Sequence, residues 1–233
     1  MTLNEIAYNI LNTYRGGRSS NNDHVSIDQV KFTIKYYRAM FIRRDMSRNG
    51  FVSNGVEQDL KCLKMKKVDA SKCCGFPTDC TVYRSEEKLP KFVRLNFNDA
   101  ITYAGDSTGI NSYQIVEPHF IQWIPYDKYT KNKKKAYIID SYLYLYNAHG
   151  DDQINIRGIF EDPEELGKFQ SCTSDKCYDD DSDFPLPMDM VQTITQGILS
   201  AEMQILSSTI TDTTNDAAQD VTVPTGGSRK SSG

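Results

Sequence analysis

Hydrophobic positions recur along the chain with two different periods. Leu3, Ile6, Ala7, Ile10, Leu11 and Tyr14 repeat at three- and four-residue spacing, which predicts an amphipathic helix over residues 2–15. Thr2 and Glu5 have the spacing of a capping box at its start, and Gly16-Gly17 ends it. Polar residues from Gly17 to Asp23 read as a loop. A second helix starts near Ser26, with Ser26 and Gln29 as a capping box and Val25 and Val30 as a hydrophobic staple. Ile27, Val30, Ile34, Tyr37 and Phe41 form one apolar stripe, and Phe32, Tyr36 and Met40 widen it to a second side. A helix that is apolar on two sides needs two neighbours, either within the fold or in another subunit. Arg38, Arg43, Arg44 and Arg48 load its C-terminal half, where cations favour the helix dipole, and Asn49-Gly50 is a stop.

The helical period then gives way to alternation. Residues 59–68 read as a strand and 69–88 as a cysteine-containing loop. Strand-like runs follow at 92–97, 100–103, 113–124, 136–146 and 153–160, separated by Gly, Asn, Asp and Pro. In the run 136–146, Tyr142, Tyr144 and Tyr146 alternate with Leu143 and Leu145, and the lysine-rich residues 131–135 before it read as a charged hairpin tip. Phe184-Pro185-Leu186-Pro187 opens a third amphipathic helix that carries Val191, Ile194, Ile198, Ala201 and Ile205 and runs to about Ser207. From Ser208 the chain is rich in Thr, Asp, Ser and Gly, and residues 211–233 contain only Val221 and Val223 as sizeable apolar side chains. Such a tail has no core of its own. The predicted fold is α+β: a helical bundle built from N- and C-terminal helices, a β-rich insertion (sandwich or barrel-like) and a flexible C-terminal tail. Its parts are 1–58, 59–183, 184–207 and 208–233.

Charge refines this division. The 233 residues hold 27 Lys plus Arg against 31 Asp plus Glu, a net charge of -4, which excludes a generally basic DNA-coating protein. Aromatic residues at 11% exclude disorder of the whole chain. The near-neutral total hides two poles. Residues 1–68 hold 12 basic and 6 acidic side chains, whereas residues 151–189 hold 3 basic and 12 acidic ones. Such poles suit head-to-tail association. No stretch approaches the roughly 20 apolar residues of a membrane helix. An acid at Glu5 and the lack of a basic-then-apolar leader make the cytosol the default compartment.

Candidate chemistry is sparse. In a reducing compartment the six cysteines read as thiols, with Cys62 a small residue within its strand. Cys73 and Cys80 on one side, with the C-x4-C pair Cys172 and Cys177 on the other, are the candidate ligands for a structural zinc. No cysteine has a neighbouring histidine in sequence, and His119, which follows Pro118 in a strand-like run, reads as a structural histidine. The acidic pairs and the Asp179-Asp180-Asp181 run lack the spacing of a cation loop and read as solvated. Neither G-x-G-x-x-G nor a P-loop occurs. No catalytic residue and no cofactor is assigned.

Several segments together resemble the head-to-tail adaptor proteins of tailed bacteriophages, in particular the neck ring proteins of crAss-like podoviruses. They are Leu3 to Leu11, Ile27 to Arg44, Arg157 to Glu165, and Phe184-Pro185-Leu186-Pro187 with its helix. The resemblance implies a non-enzymatic virion protein, assembled in the host bacterial cytoplasm as a ring, usually a dodecamer, beneath the portal. It implies a helical bundle around a channel for packaged double-stranded DNA, and contacts with portal and with the next neck or tail ring. Arg38, Arg43, Arg44 and Arg48 are then candidates for subunit or channel contacts, and the tail with Val221 and Val223 for portal docking. A different reading makes the insertion a β-barrel module for carbohydrate or nucleic acid, with Trp123, Tyr126, Tyr142, Tyr144 and Tyr146 as a stacking platform.

Overall fold

A computed structural model describes residues 1–17, 25–50, 54–69, 81–95, 99–130, 132–148 and 152–203. The chain is α+β: a few helices stand against a nearly closed, barrel-like sheet of seven strands. Helix α1 spans Leu3–Tyr14, and both halves of its capping box form. The Glu5 amide donates to Thr2 Oγ1 at 3.2 Å and the Thr2 amide to Glu5 Oε2 at 2.9 Å. Helix α2 spans Ile27–Asn49. The Ser26 hydroxyl accepts from the Gln29 amide, and Gly50, at φ 73°, closes the helix by donating to Met46 O. Helix α3 spans Met188–Gly197 behind the N-cap Pro187, and a π turn, Ile198–Glu202, prolongs it. The three share one core of Leu3, Ile6, Ile10, Val30, Ile34 and Ile194.

The strands are β1 (Gln58–Asp69), β2 (Thr81–Ser85), β3 (Ile101–Asp106), β4 (Gln114–Ile115), β5 (Lys135–Ile139), β6 (Tyr142–Tyr146) and β7 (Gln153–Gly158). Their order is β3-β7-β1-β2-β6-β5-β4, antiparallel except for the parallel pair β4 and β5. A bridge between Gly105 and Ser112, with Tyr113 N donating to Ala104 O at 2.7 Å, brings the two ends together. Leu60, Leu63, Met65, Leu143, Ile154 and Ile156 fill the interior. A third cluster, Ile42, Val56, Val93, Ala100 and Ile159, joins the barrel to α2.

Four expectations change at the level of elements. Of the supposed strand 92–97, the described residues hold only single bridges, Phe92 to Phe160 and Arg94 to Asp99. The run 136–146 is two strands: Asp140 and Ser141 take φ 50° and 66° and make a two-residue hairpin between β5 and β6. Within the supposed loop 69–88, residues Thr81–Ser85 form β2. The supposed strand 113–124 holds only β4, because residues Pro118–Tyr126 form a 3-10 helix. Prolines at 118 and 125 lack the N–H that a sheet ladder requires. The cysteines Cys73, Cys74 and Cys80 and the tail 208–233 lie outside the described residues.

Candidate assembly interface

Helix α2 packs one face and, among the described residues, leaves the other open. Val30, Ile34, Tyr37 and Phe41 are buried against α1 and α3. On the second side Phe32, Tyr36 and Met40 are 70%, 58% and 40% exposed. Four-residue spacing aligns them along the helix, and with Ala39, Val93 and Arg94 they line a groove of about 450 Å³. Glu161 and Asp162 form its far rim. Lys35 sits at this rim and donates to Asp162 at 3.0 Å and to Glu164. Burial opposes its charge, yet the hydrogen bonds to Glu164 and Asp162 hold its ammonium above the usual lysine range.

A second apolar surface lies on the flank of the barrel. In the 3-10 helix Pro118–Tyr126, Ile124 is buried, whereas Phe120, Trp123 and Tyr126 are exposed by 53%, 63% and 83%. A 3-10 helix turns every three residues, so these three aromatics stand in one straight ridge. The sequence carried this signal as a period of three, which a strand reading of the segment overlooks. His119 belongs to this helix as an exposed side chain paired with Glu117, not to a strand interior.

The four arginines divide. Arg38 is buried completely and is not a surface contact, which corrects its assignment to a subunit or channel face. Its guanidinium donates to Phe160 O (2.7 Å), Pro185 O (2.8 Å) and Val56 O (3.0 Å). Burial lowers its pKa to about 9, still above neutrality, so the charge is retained. Arg43, Arg44 and Arg48 are exposed. Arg43 edges the groove, and Arg44 lies 4.2 Å from the centre of the Phe41 ring.

The cysteines rearrange as well. Cys172 forms a disulfide with Cys62 and so is not a thiolate in this structure, while Cys177 is a free thiol packed against the barrel core. The C-x4-C pair therefore does not act together, and Cys62 is a bridge residue, not a small strand filler. It stands at a β-bulge in β1, with φ 54°. Among the described residues no group of three His, Cys, Asp or Glu side chains could hold a metal ion. The proposed aromatic platform loses one member. Tyr144 is 3% exposed and stacks on Tyr137 at 5.3 Å, away from solvent. Val221 and Val223 lie outside the described residues.

A family model described as phage tail ring protein 2 matches residues 5–221. The chain belongs to this family. No match was found among curated proteins. Membership makes the phage tail ring protein a structural component of the virion that assembles as a ring. No helix among its described residues is long and apolar enough to cross a membrane.

Proposed function

We propose that this phage tail ring protein is the repeating subunit of a head-to-tail connector, an adaptor that links portal to tail and extends the DNA channel. One observation carries the reading. A chain that matches a tail ring family over residues 5–221 leaves an apolar face of its longest helix exposed among the described residues. A ring of identical chains buries such a face against the next copy. On this reading a dodecamer encloses packaged double-stranded DNA without reading its sequence. Arg43, Arg44 and Arg48 face a neighbouring subunit or the DNA phosphates. The helical parts, 1–58 and 184–207, surround the channel, and the insertion 59–183 faces outward or toward the next neck or tail ring. Segment 208–233, with Val221 and Val223, docks on the portal. Assembly takes place in the host cytoplasm. The work is mechanical, converting one interface into another and retaining the genome, and it needs no cofactor and no bond chemistry.

Cryo-electron microscopy of the phage particle with this chain labelled tests the assignment. Copies are expected to ring the channel between portal and tail. Copies found elsewhere in the particle overturn the connector role. Limited proteolysis tests the docking: purified portal is expected to protect residues 208–233, and equal cleavage with and without portal removes that contact from the proposal.

A further inference from the structure

The ring reading demands two different mating surfaces on each chain. A closed ring is built from heterologous contacts, in which one patch of a subunit meets a different patch of the next. Among the described residues, the exposed large apolar side chains gather in two places: the groove of α2 and the flank of the barrel. The others, Tyr8, Ile110, Tyr129, Ile139 and Met188, belong to neither row.

The two surfaces match in pitch. Phe32, Tyr36 and Met40 recur every four residues of an α-helix, a repeat of about 6 Å along the axis. Phe120, Trp123 and Tyr126 recur every three residues of a 3-10 helix, also about 6 Å. Two rows with one spacing interdigitate over their whole length, as ridges do in grooves. The groove, about 450 Å³, has room for aromatic side chains but not for a whole helix. Charge is mixed on both surfaces, with Lys35, Arg43 and Arg94 beside Glu161 and Asp162 at the groove and Asp127 beside Lys128 after the ridge, so the apolar rows carry the pairing.

We infer that the α2 groove of one copy receives the Phe120-Trp123-Tyr126 ridge of the next copy, and that this contact propagates the ring. The inference rests on the ring reading above and names the partner of its open face. Aromatic side chains of this kind form the anchors of interfaces, and burying one contributes strongly to association.

Two variants of the full-length chain test it: Tyr36→Asp in the groove and Trp123→Asp on the ridge. Both positions are exposed, so the variants should keep the wild-type circular dichroism and melting midpoint. A Phe32→Asp variant, at a still more exposed groove position, replaces Tyr36→Asp if the latter misfolds. Mass is then read by light scattering under conditions in which wild type forms rings. Each variant alone should fall to the monomer of 26.5 kDa. An equimolar mixture of the two should stop at a heterodimer of twice that mass, because it retains one intact groove and one intact ridge. Rings formed by either variant alone overturn the inference and leave the ring reading standing. So does a mixture that remains monomeric or that closes rings. A wild type that never forms a ring, alone or with portal and the adjoining tail proteins, overturns the ring reading itself.

Discussion

At Arg38 three distant stretches of backbone converge on one side chain. Val56 precedes β1, Phe160 follows β7, and Pro185 precedes α3, and each turns a carbonyl toward the same guanidinium. An arginine fits this place because its planar fork offers donors in several fixed directions, which a lysine ammonium on a flexible stem does not. Removing it strands three acceptors without water. Arg38→Met is therefore expected to lower the unfolding free energy by at least about 1–3 kcal/mol, the cost of one stranded buried acceptor, and Arg38→Lys to recover part of it. Exposed Arg43 and Arg48 form the control, since their alanine variants should stay within about 0.5 kcal/mol of wild type. Arg44→Ala loses in addition its contact with the Phe41 ring, worth about 0.5–1 kcal/mol at an exposed site. Urea unfolding of the five variants checks the order. An Arg38→Met protein as stable as Arg48→Ala would show that the carbonyls find other partners. The periodic pattern of α2 marks Arg38 as one more cation on a basic helix, because a sequence does not display where other segments' carbonyls will meet.

Between elements, a close fit lies where the end of β7 passes the start of β3. A Cβ placed on Gly158 would stand 2.7 Å from Ala100 O and 2.9 Å from the Phe92 ring. Neither neighbour yields easily, since Ala100 O accepts from the Ile159 amide and the Phe92 ring packs on Phe160 with centroids 4.6 Å apart. Gly158→Ala is expected to cost about 1–3 kcal/mol through overpacking, visible as a lower denaturation midpoint with unchanged helix content. An unchanged midpoint would mean that the strands separate without penalty. Legibility at this scale follows the strength of local signals. The caps of α1 and α2, the second apolar side of α2 and the proline start of α3 rest on chemistry within a few residues, and each is readable. Asp140-Ser141 was not, because a turn with two positive φ angles ordinarily announces itself with Asn or Gly. Strand β2 was hidden because Val82, Tyr83 and Arg84 are all only half buried, so that no alternation shows. In β1 the bulge resets the period: Leu60 and Cys62 alternate, and then Leu63 and Met65 take over the inward face. Half of the candidate interface was therefore legible, as the open side of α2. Its barrel half was not, because a period of three is easily taken for irregular alternation.

At the scale of the whole molecule, the segment after β7 fastens the barrel to the helices. Asp162 and Glu164 hold Lys35 of α2, the carbonyls of Phe160 and Pro185 hold Arg38, and Cys172 is bonded to Cys62 in β1. Acidic residues dominate this stretch, and two of them spend their charge on a lysine of the basic α2, so the poles of the sequence are partly joined within one chain. The disulfide closes a span of 110 residues, and a bridge over so long a span removes much freedom from the unfolded chain. Under oxidising conditions Cys172→Ser is expected to lower stability by about 2–4 kcal/mol. Under dithiothreitol the wild type should fall to the level of the variant, and the variant should not respond. Cys172 lies on the same acidic segment as the groove residues Glu161 and Asp162, so the bond is expected to bear on assembly too. The oxidised ring should therefore resist urea better than the reduced one, with the difference abolished in Cys172→Ser. If dithiothreitol opens the bond, as shown by thiol titration, and leaves both monomer and ring stability unchanged, the fastening rests on Arg38 and Lys35 alone.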